Sequence, residues 1–329
     1  MKYFRCLLLA VTLTLFFGCE SSSSDTGSSA ERTYPFQVVC SIAMVADMVS
    51  QVAGEHAEVV SLMGEGVDPH LYKPTRDDVN RLLQADAIFY VGLMLEGRMA
   101  DSFMKVSRAG IPVFPVTESI DESFLLEPDG FDGHWDPHVW TDVTAWSQCI
   151  TVVEQALSEY DPANAADYAS NAAAYRAQLA EVHEYVQQVV STIPEDQRYL
   201  ITAHDAFGYF ERAYGVKVKA AQGMSTESEA GVADINELVD FIVAKKIPAL
   251  FVETSVGDQN LQAVLEGAAS KGQTVRIGGE LFSDAMGAPG TYRGTYIGMV
   301  DHNATTITNA LGGEAPEGGF QGKLTKEAH

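Results

Sequence analysis

Short runs of β-branched and apolar residues alternate with longer amphipathic stretches from Phe36 onward. This alternation is typical of β–α units, which form parallel sheets covered by helices. The predicted strands of the first half are Gln37–Ser41, Glu58–Leu62, Ala87–Val91 and Pro112–Val116. Those of the second half are Tyr199–Thr202, Val216–Ala220, Ala249–Glu253 and Thr274–Ile277. The pattern predicts an α/β protein of two lobes, each with a four-stranded, mainly parallel sheet flanked by helices.

One long amphipathic segment separates the two sets of strands. Asp161 and Pro162 are typical of a helix start, and Pro194 of a helix end. Apolar residues between them recur at alternating steps of four and three: Tyr168, Ala172, Tyr175, Leu179, Val182, Val186, Val189 and Ile193. This periodicity predicts one rigid helix over 161–194, which would run about 48 Å at 1.5 Å per residue.

The predicted helix divides the chain into parts. We expect an N-terminal lobe over 34–160 and a C-terminal lobe over 195–312. The remaining residues, 313–329, are polar and glycine-rich, and we expect this tail to be poorly ordered.

The first residues are typical of an export signal. Lys2 and Arg5 are followed by the apolar stretch Cys6–Gly18, which is short for a bilayer-spanning helix. No later segment is long and apolar enough to be a predicted membrane span. We therefore interpret residues 1–18 as a signal peptide and expect the mature protein in the periplasm or at the cell surface.

The end of this stretch, residues 15–19, reads Leu-Phe-Phe-Gly-Cys and resembles a bacterial lipobox. In such a motif Cys19 is acylated and becomes the first mature residue. Phe16 stands where the motif usually has leucine, so ordinary cleavage nearby is the alternative. The serine run in 19–33 indicates a flexible tether, which would attach the protein to the membrane through lipid alone.

Composition and charge narrow the possible partners. The chain has 329 residues, 46% hydrophobic and 20% charged, with a formal net charge of −24. Only 21 lysines and arginines are present and they are dispersed, which argues against a nucleic-acid-binding protein. We expect Cys40 and Cys149 to be buried thiols, although an exported protein permits a disulfide between them.

Three histidines and one aspartate occupy positions where α/β proteins bind ligands. They lie in loops after predicted strands or near the end of the first lobe: His70, His138, His204 and Asp284. The carboxyl ends of strands are the usual place for such residues. Neutral imidazoles with one carboxylate form a donor set that suits Zn²⁺ and accepts Mn²⁺. These side chains are therefore candidate metal ligands.

Neighbouring carboxylates strengthen this hypothesis. The tripeptide Asp-Pro-His occurs twice, with Asp68 two residues before His70 and Asp136 two residues before His138. Proline fixes the backbone before each imidazole, and a nearby aspartate can orient a ring by hydrogen bonding. The remaining candidates for this supporting role are Asp205 and Glu253, the latter being equally well interpreted as an ordinary surface acid.

At these motifs the sequence resembles the metal-specific solute-binding proteins of bacterial ABC importers, the TroA-like group, over Phe36–Leu311. The resembling segments are Val67–His70 with Tyr72 and Pro74, Asp136–Trp140, Thr202–Phe210, Phe251–Glu253, and Leu281–Asp284 with Tyr296 and Asn303. The resemblance implies two lobes joined by one helix, with a metal held between them by His70, His138, His204 and Asp284. It also implies a membrane permease and a separate ATPase as partners, with this chain acting as a monomer and not as an enzyme.

The sequence distinguishes poorly between zinc and manganese. In the family a glutamate as third ligand is associated with manganese carriers, whereas this chain has His204, which favours zinc or mixed zinc and manganese use. The long histidine-rich loop of many zinc members is absent, and only Gly133-His134-Trp135 precedes the second motif. We therefore expect Zn²⁺ or Mn²⁺ as the transported ligand. We do not interpret His134 as a metal ligand. It lies four residues before His138, but Pro137 prevents the regular helix that would place both rings on one face.

Three alternatives stay open at this point. A zinc hydrolase also uses histidines and a carboxylate, but it keeps an open coordination position, whereas Asp284 would fill the fourth position here. A surface adhesin is a second alternative, for which a metal site offers no mechanism. A sugar or amino-acid binding protein is the third, and it would not need these histidines.

Overall fold

A parallel four-stranded sheet forms the centre of the first lobe, with strand order β2-β1-β3-β4. The computed structural model describes residues 33–128 and 133–324. The elements of this lobe are β1 Phe36–Ile42, α1 Ala43–Ala53, β2 Ala57–Met63, α2 Arg76–Gln84, β3 Ala87–Tyr90, α3 Ala100–Arg108, β4 Val113–Pro115 and α4 Val143–Tyr160. The predicted strands of the first half are therefore confirmed, with small shifts at their ends.

The second lobe repeats the alternation of strand and helix. Its elements are β5 Tyr199–His204, α6 Gly208–Tyr214, β6 Lys217–Gln222, α7 Val232–Lys245, β7 Ala249–Glu253, α8 Gln259–Ser270, β8 Arg276–Leu281 and α9 Tyr296–Ala310. All of its strand pairs are parallel. The α/β class with two lobes is confirmed.

The strands of the second lobe do not form the single four-stranded ladder that we expected. They form two parallel pairs, β5 with β6 and β7 with β8, and β5 lies beside β7. At this boundary the backbone N–H groups of Ala203 and His204 donate to the Glu253 side chain, at 2.7 and 3.0 Å. A side-chain carboxylate thus takes the place of main-chain acceptors there.

The linking helix is shorter than predicted. The α-helix α5 covers Ala165–Ser191, 27 residues, and a 3₁₀ turn at Pro162–Asn164 precedes it. It therefore runs about 40 Å at 1.5 Å per residue. Asp161 lies outside the helix, where its carboxylate accepts hydrogen bonds from Tyr34 and Tyr168 hydroxyls. The predicted apolar face is buried along its length.

This helix joins the two lobes through a common hydrophobic core. It packs on α1 and α4 of the first lobe and on α9 of the second. One core cluster extends from the first sheet across α5 to α9, and a smaller one lies between the second-lobe strands and α7 and α8. Because α5 is buried against both lobes, we expect it to limit large rotations between them. The lobe boundaries at 34–160 and 195–312 stay a prediction.

The expectation of a poorly ordered tail is wrong for residues 313–324. The N–H of Glu314 donates to Thr192 Oγ1 at 2.7 Å, and that of Phe320 to Asp301 Oδ1 at 2.8 Å. The ring of Phe320 also packs on Tyr185. One aromatic anchor and two hydrogen bonds therefore return this segment to the second lobe.

Several predictions on the chain ends lie outside the described residues. These include the signal peptide 1–18, Cys19 and almost all of the tether. Within the described residues, no helix combines the length and apolarity needed to cross a membrane. Cys40 and Cys149 are both buried free thiols, and burial raises the pKa of each.

Candidate metal centre

The four predicted ligands converge at the mouth between the lobes. Each of His70, His138, His204 and Asp284 offers one ligand atom, and all of these atoms lie within 4.8 Å of one another. The residues are 6%, 0%, 0% and 1% exposed, respectively. Residues separated by more than 200 positions in the chain thus form one buried donor cluster.

His138 is held by the aspartate of its own motif. Asp136 Oδ1 accepts the backbone N–H of His138 at 2.9 Å and lies 2.7 Å from its ring Nδ1. An acceptor at Nδ1 places the proton on that nitrogen in the neutral ring, so that the Nε2 lone pair points into the cluster. This contact between Asp136 and the His138 ring is the geometry that the predicted orienting role requires.

His204, at the end of β5, is supported in the same way from β7. Glu253 Oε2 lies 2.6 Å from His204 Nδ1, and the other oxygen of the carboxylate accepts backbone N–H groups of β5. Both side chains are buried. Glu253 is therefore a buried supporting residue in this structure, and the surface interpretation of it is wrong.

His70 is positioned through its backbone. Asp68 Oδ1 accepts the His70 N–H at 2.8 Å, and Asp68 Oδ2 accepts the Thr226 hydroxyl of the second lobe at 2.6 Å. Asp68 thus fixes the turn that presents His70. The sequence suggested that this carboxylate orients the imidazole ring, but among the described residues its hydrogen bonds go to the His70 backbone and to Thr226.

Asp284 follows β8 in a loop that both lobes hold. The amide of Asn303 bonds both the N–H and the carbonyl of Phe282, at 2.9 and 2.7 Å. From the first lobe, the Trp140 indole N–H donates to the Ser283 carbonyl at 2.6 Å. These contacts fix the backbone on which the Asp284 carboxylate is placed.

The distances between donor atoms fit a single small cation. His70 Nε2 lies 3.2 Å from His138 Nε2, and His204 Nε2 lies 3.2 Å from Asp284 Oδ2. Asp284 is also 3.7 Å from His70 Nε2 and 3.5 Å from His138 Nε2. Ligands of a tetrahedral Zn²⁺, with bonds of about 2.0–2.1 Å, are separated by about 3.4 Å. The donor set therefore has the spacing that one ion requires.

Three buried polar atoms of the cluster have no hydrogen-bond partner in the part of the chain that the structure describes. Among the described residues, His204 Nε2 and both Asp284 carboxylate oxygens are buried without a hydrogen bond of standard geometry. Buried polar atoms without partners are costly, and a bound cation would remove that cost.

Electrostatic interactions differ among the ligands. Burial lowers the pKa of His70 to about 3, so this imidazole is neutral at physiological pH. Burial acts in the same direction on His204, but Glu253 and Asp284 outweigh it and raise its pKa well above the usual 6.5. For Asp284, burial favours the neutral acid, yet the imidazoles, His204 foremost, hold its pKa far below the usual range.

The other candidate residues are placed elsewhere. Asp205 makes no hydrogen bond to a ligand ring among the described residues, and burial beside Asp136 raises its pKa. His134 is exposed and lines a cavity next to His70. Three further histidines have structural partners: His56 contacts Asp167, His183 contacts Tyr214 and His302 contacts the Glu280 carbonyl.

Two supporting contacts were not predicted. Thr226 bonds Asp68 from the other lobe, and Tyr296 donates its hydroxyl to the Trp140 carbonyl at 2.7 Å. Thr226 lies in a loop with no periodic or motif signal. Tyr296 lay in a resembling segment, but its partner is 156 residues away, and spacing does not reveal such a pair.

Comparison with known proteins agrees with this geometry. The family model described as "Zinc-uptake complex component A periplasmic" matches residues 38–310. The manganese-binding lipoprotein MntA of Bacillus subtilis (strain 168) is 43% identical over 305 residues, 92% of this chain and 98% of its own length. The zinc-binding protein TroA of Treponema pallidum (strain Nichols) is 45% identical over 274 residues, 83% of this chain and 88% of its own length.

Solved structures support the same fold. The structure of the periplasmic zinc-binding protein TroA from Treponema pallidum superposes with a TM-score of 0.81 at 44% sequence identity. The match covers 84% of this chain and 99% of the other.

Proposed function

Because the chain belongs to the family of periplasmic zinc-uptake complex component A proteins, we propose that it is the substrate-binding component of an ABC importer. It captures one Zn²⁺ or Mn²⁺ ion between its lobes and delivers the ion to a membrane permease that a separate ATPase drives. The observation that carries this proposal is the buried cluster of three imidazoles and one carboxylate.

The ligands are His70 and His138 from the first lobe and His204 and Asp284 from the second. Each lobe supplies two donors, so one bound ion would connect the two lobes. Asp136 and Glu253 keep Nε2 of their histidines available, because each carboxylate accepts a hydrogen bond from the ring Nδ1–H and so holds the proton on that nitrogen. Asp68 acts on His70 through the backbone.

Either zinc or manganese fits the donor chemistry. Three nitrogen donors favour zinc, and the carboxylate, which has two oxygens facing the cluster, accommodates manganese at a higher coordination number. Relatives of similar identity carry names for each metal, manganese-binding in one and zinc-binding in the other.

The site binds its ion without catalysing a reaction. A hydrolytic zinc centre needs an open coordination position and a nearby general base. Here Asp284 completes four donors, and the adjacent carboxylates of Asp136 and Glu253 are engaged with imidazole Nδ1 atoms. Metal-dependent cleavage of ester, peptide or phosphate substrates, lost in His204→Ala, would support the hydrolase instead.

The site of action is outside the cytoplasm. The predicted signal peptide 1–18 and the lipobox-like Cys19 support a location in the periplasm or at the cell surface, with an acyl chain that holds a monomer at the membrane. Relatives that bear the name lipoprotein support this assignment. Mass spectrometry of the mature N-terminus tests it, since acylation adds a fixed mass to Cys19.

Metal analysis and calorimetry test the ligand set. The wild-type chain should bind one Zn²⁺ or Mn²⁺ ion. Loss of a residue that supports a ligand typically weakens metal affinity about 10–100-fold. His70→Ala and Asp284→Ala each remove a ligand, and we expect each to weaken the affinity by more than that. His56→Ala is the matched control, because this histidine contacts Asp167 away from the cluster. Stoichiometric binding with unchanged affinity in both ligand variants would show that the assignment is wrong.

A further inference from the structure

One side of the metal centre is less enclosed than the others. His70 is the most exposed of the four ligands, at 6% against 0% or 1%. A cavity of about 370 Å³ adjoins it, and both lobes contribute to the lining: Leu93, Met94, Arg98 and His134 from the first, Met224 and Glu227 from the second. An ion that enters or leaves with the least rearrangement would therefore pass His70.

A short second-lobe segment, Met224–Glu227, crosses to the first lobe on this side. The hydroxyl of Thr226 donates to Asp68 Oδ2 at 2.6 Å, while Asp68 Oδ1 accepts the backbone N–H of His70 at 2.8 Å. One carboxylate thus connects the crossing segment to the turn that presents His70. Thr226 is only 8% exposed, so water competes little for this bond.

An ion pair reinforces the same crossing. Arg98 Nε lies 2.7 Å from Glu227 Oε1, and Arg98 Nη1 donates to the carbonyl of Leu71 at 3.4 Å. Leu71 directly follows His70, so this arginine connects the segment to the other side of the same turn. The side chains are 33% and 51% exposed, and we assign the pair a smaller effect than the buried Thr226 bond.

We propose that Met224–Glu227 is an exchange latch, which sets the rate at which the metal ion passes His70 by holding the second lobe to the His70 turn. Thr226 and Asp68 are positioning residues in this latch. The exposed ion pair between Arg98 and Glu227 adds a second contact between the latch and the first lobe. The inference rests on the proposed function, because it assumes that the cluster binds a metal ion.

A latch and a purely structural contact have different kinetic effects. If the latch covers the route, breaking it makes ion passage easier in both directions, so association and release both become faster. If Thr226 only supports the position of His70, losing its bond damages a ligand, so release becomes faster while association does not. The two rate constants, measured separately, therefore distinguish the explanations.

Thr226→Val is the direct test, because valine keeps the shape of threonine and removes the hydroxyl. Zn²⁺ alone is the probe, and stopped-flow tryptophan fluorescence follows it, since the Trp140 ring lies 5.3 Å from that of His138. Release is started with excess chelator, at concentrations where the rate no longer depends on chelator. We expect the association and release rate constants both to rise about tenfold. This factor corresponds to the stabilisation typically lost with one hydrogen bond to a charged acceptor.

Matched variants complete the design. Thr226→Ser retains the hydroxyl and should restore rates near those of the wild type. Glu227→Gln should raise both rates by less than Thr226→Val. Glu154→Gln is the control, because Glu154 also pairs with an arginine, Arg176 at 2.8 Å, between α4 and α5 and away from the cavity.

The possible results separate the latch from the proposed function. Faster association and release in Thr226→Val, with one Zn²⁺ still bound, support the latch. Unchanged rates, or faster release without faster association, overturn it and leave the metal-binding function intact. Failure of the wild-type chain to bind Zn²⁺ or Mn²⁺ stoichiometrically overturns the function and the latch together.

Discussion

Glu253 and His204 form a buried pair across the boundary between β7 and β5, with 2.6 Å between Oε2 and Nδ1. The same carboxylate accepts the backbone N–H groups of Ala203 and His204. One side chain therefore orients a proposed metal ligand and connects two strand pairs that have no main-chain ladder between them. This arrangement makes the site part of the fold of the second lobe.

Replacing this carboxylate by an amide should weaken metal binding without unfolding the protein. Glu253→Gln keeps an oxygen for the backbone groups, but loses the charge that holds the His204 Nδ1 proton. We expect the Kd for Zn²⁺ to rise about 10–100-fold, as for other outer contacts of metal-bound histidines. Calorimetry measures this change, with the exposed Glu280→Gln on the adjacent β8 as control. An unchanged Kd in Glu253→Gln would contradict the supporting role.

Metal binding should release a proton from His204. Its folded pKa is raised well above 6.5 by Glu253 and Asp284, despite burial, so the metal-free site holds an imidazolium at neutral pH. His70, with its pKa lowered by burial to about 3, has no proton to lose there. Calorimetry in buffers of different ionisation enthalpy should give a net release of about one proton per ion. No release at pH 7 would contradict this account.

The same shift determines how stability depends on pH. A raised folded pKa means that protonated His204 stabilises the metal-free protein fully below its unfolded pKa of about 6.5. That stabilisation is lost as pH rises through the folded pKa of His204. The metal needs the deprotonated ring, so its added stabilisation should grow with pH and fade toward pH 5.

Thermal melting checks the size of this effect. At a thousandfold excess of ion over its Kd, binding should raise the free energy of unfolding by about 4 kcal/mol. Melting temperatures with and without Zn²⁺ or Mn²⁺ should differ most at pH 8 and least at pH 5. A metal-induced increase that is independent of pH would exclude a site built on titrating imidazoles.

Tyr296 should stabilise the fold through one buried bond. Its hydroxyl donates to the Trp140 carbonyl at 2.7 Å, and both residues are buried. Tyr296→Phe leaves that carbonyl without this donor, and we expect a loss of about 1–2 kcal/mol in the free energy of unfolding. Denaturant unfolding measures it, and Tyr199→Phe, whose ring packs near Phe241, is the control. Equal stability of Tyr296→Phe and wild type would show that the bond contributes nothing.

The sequence predicted what depends on local chemistry and regular spacing. The buried face of α5 could be predicted because Tyr168 and the apolar residues after it repeat at helical spacing. The four proposed ligands were candidates because each follows a strand or an Asp-Pro pair, and the family resemblance named them as one set. The structure brings their donor atoms within 4.8 Å of one another. Such signals come from the residue and its immediate neighbours.

What the sequence did not predict depends on long-range contacts. The second-lobe sheet divides where the Glu253 side chain meets β5, and no pattern in either strand indicates that contact. The segment 313–324 is ordered through Phe320, a single aromatic residue in a polar stretch. Thr226 meets Asp68 across 158 positions. Periodicity carries no information on pairs of this kind.

X-ray absorption spectroscopy of the Zn²⁺-loaded full chain tests the central claim most directly. We expect one zinc per chain, with three imidazole nitrogens at about 2.0–2.1 Å and carboxylate oxygen at about 2.0–2.2 Å. The imidazole signal should fall by one third in His138→Ala. A spectrum with sulfur ligands, or with oxygen donors and no imidazole, would contradict the assignment of His70, His138, His204 and Asp284 as the metal site.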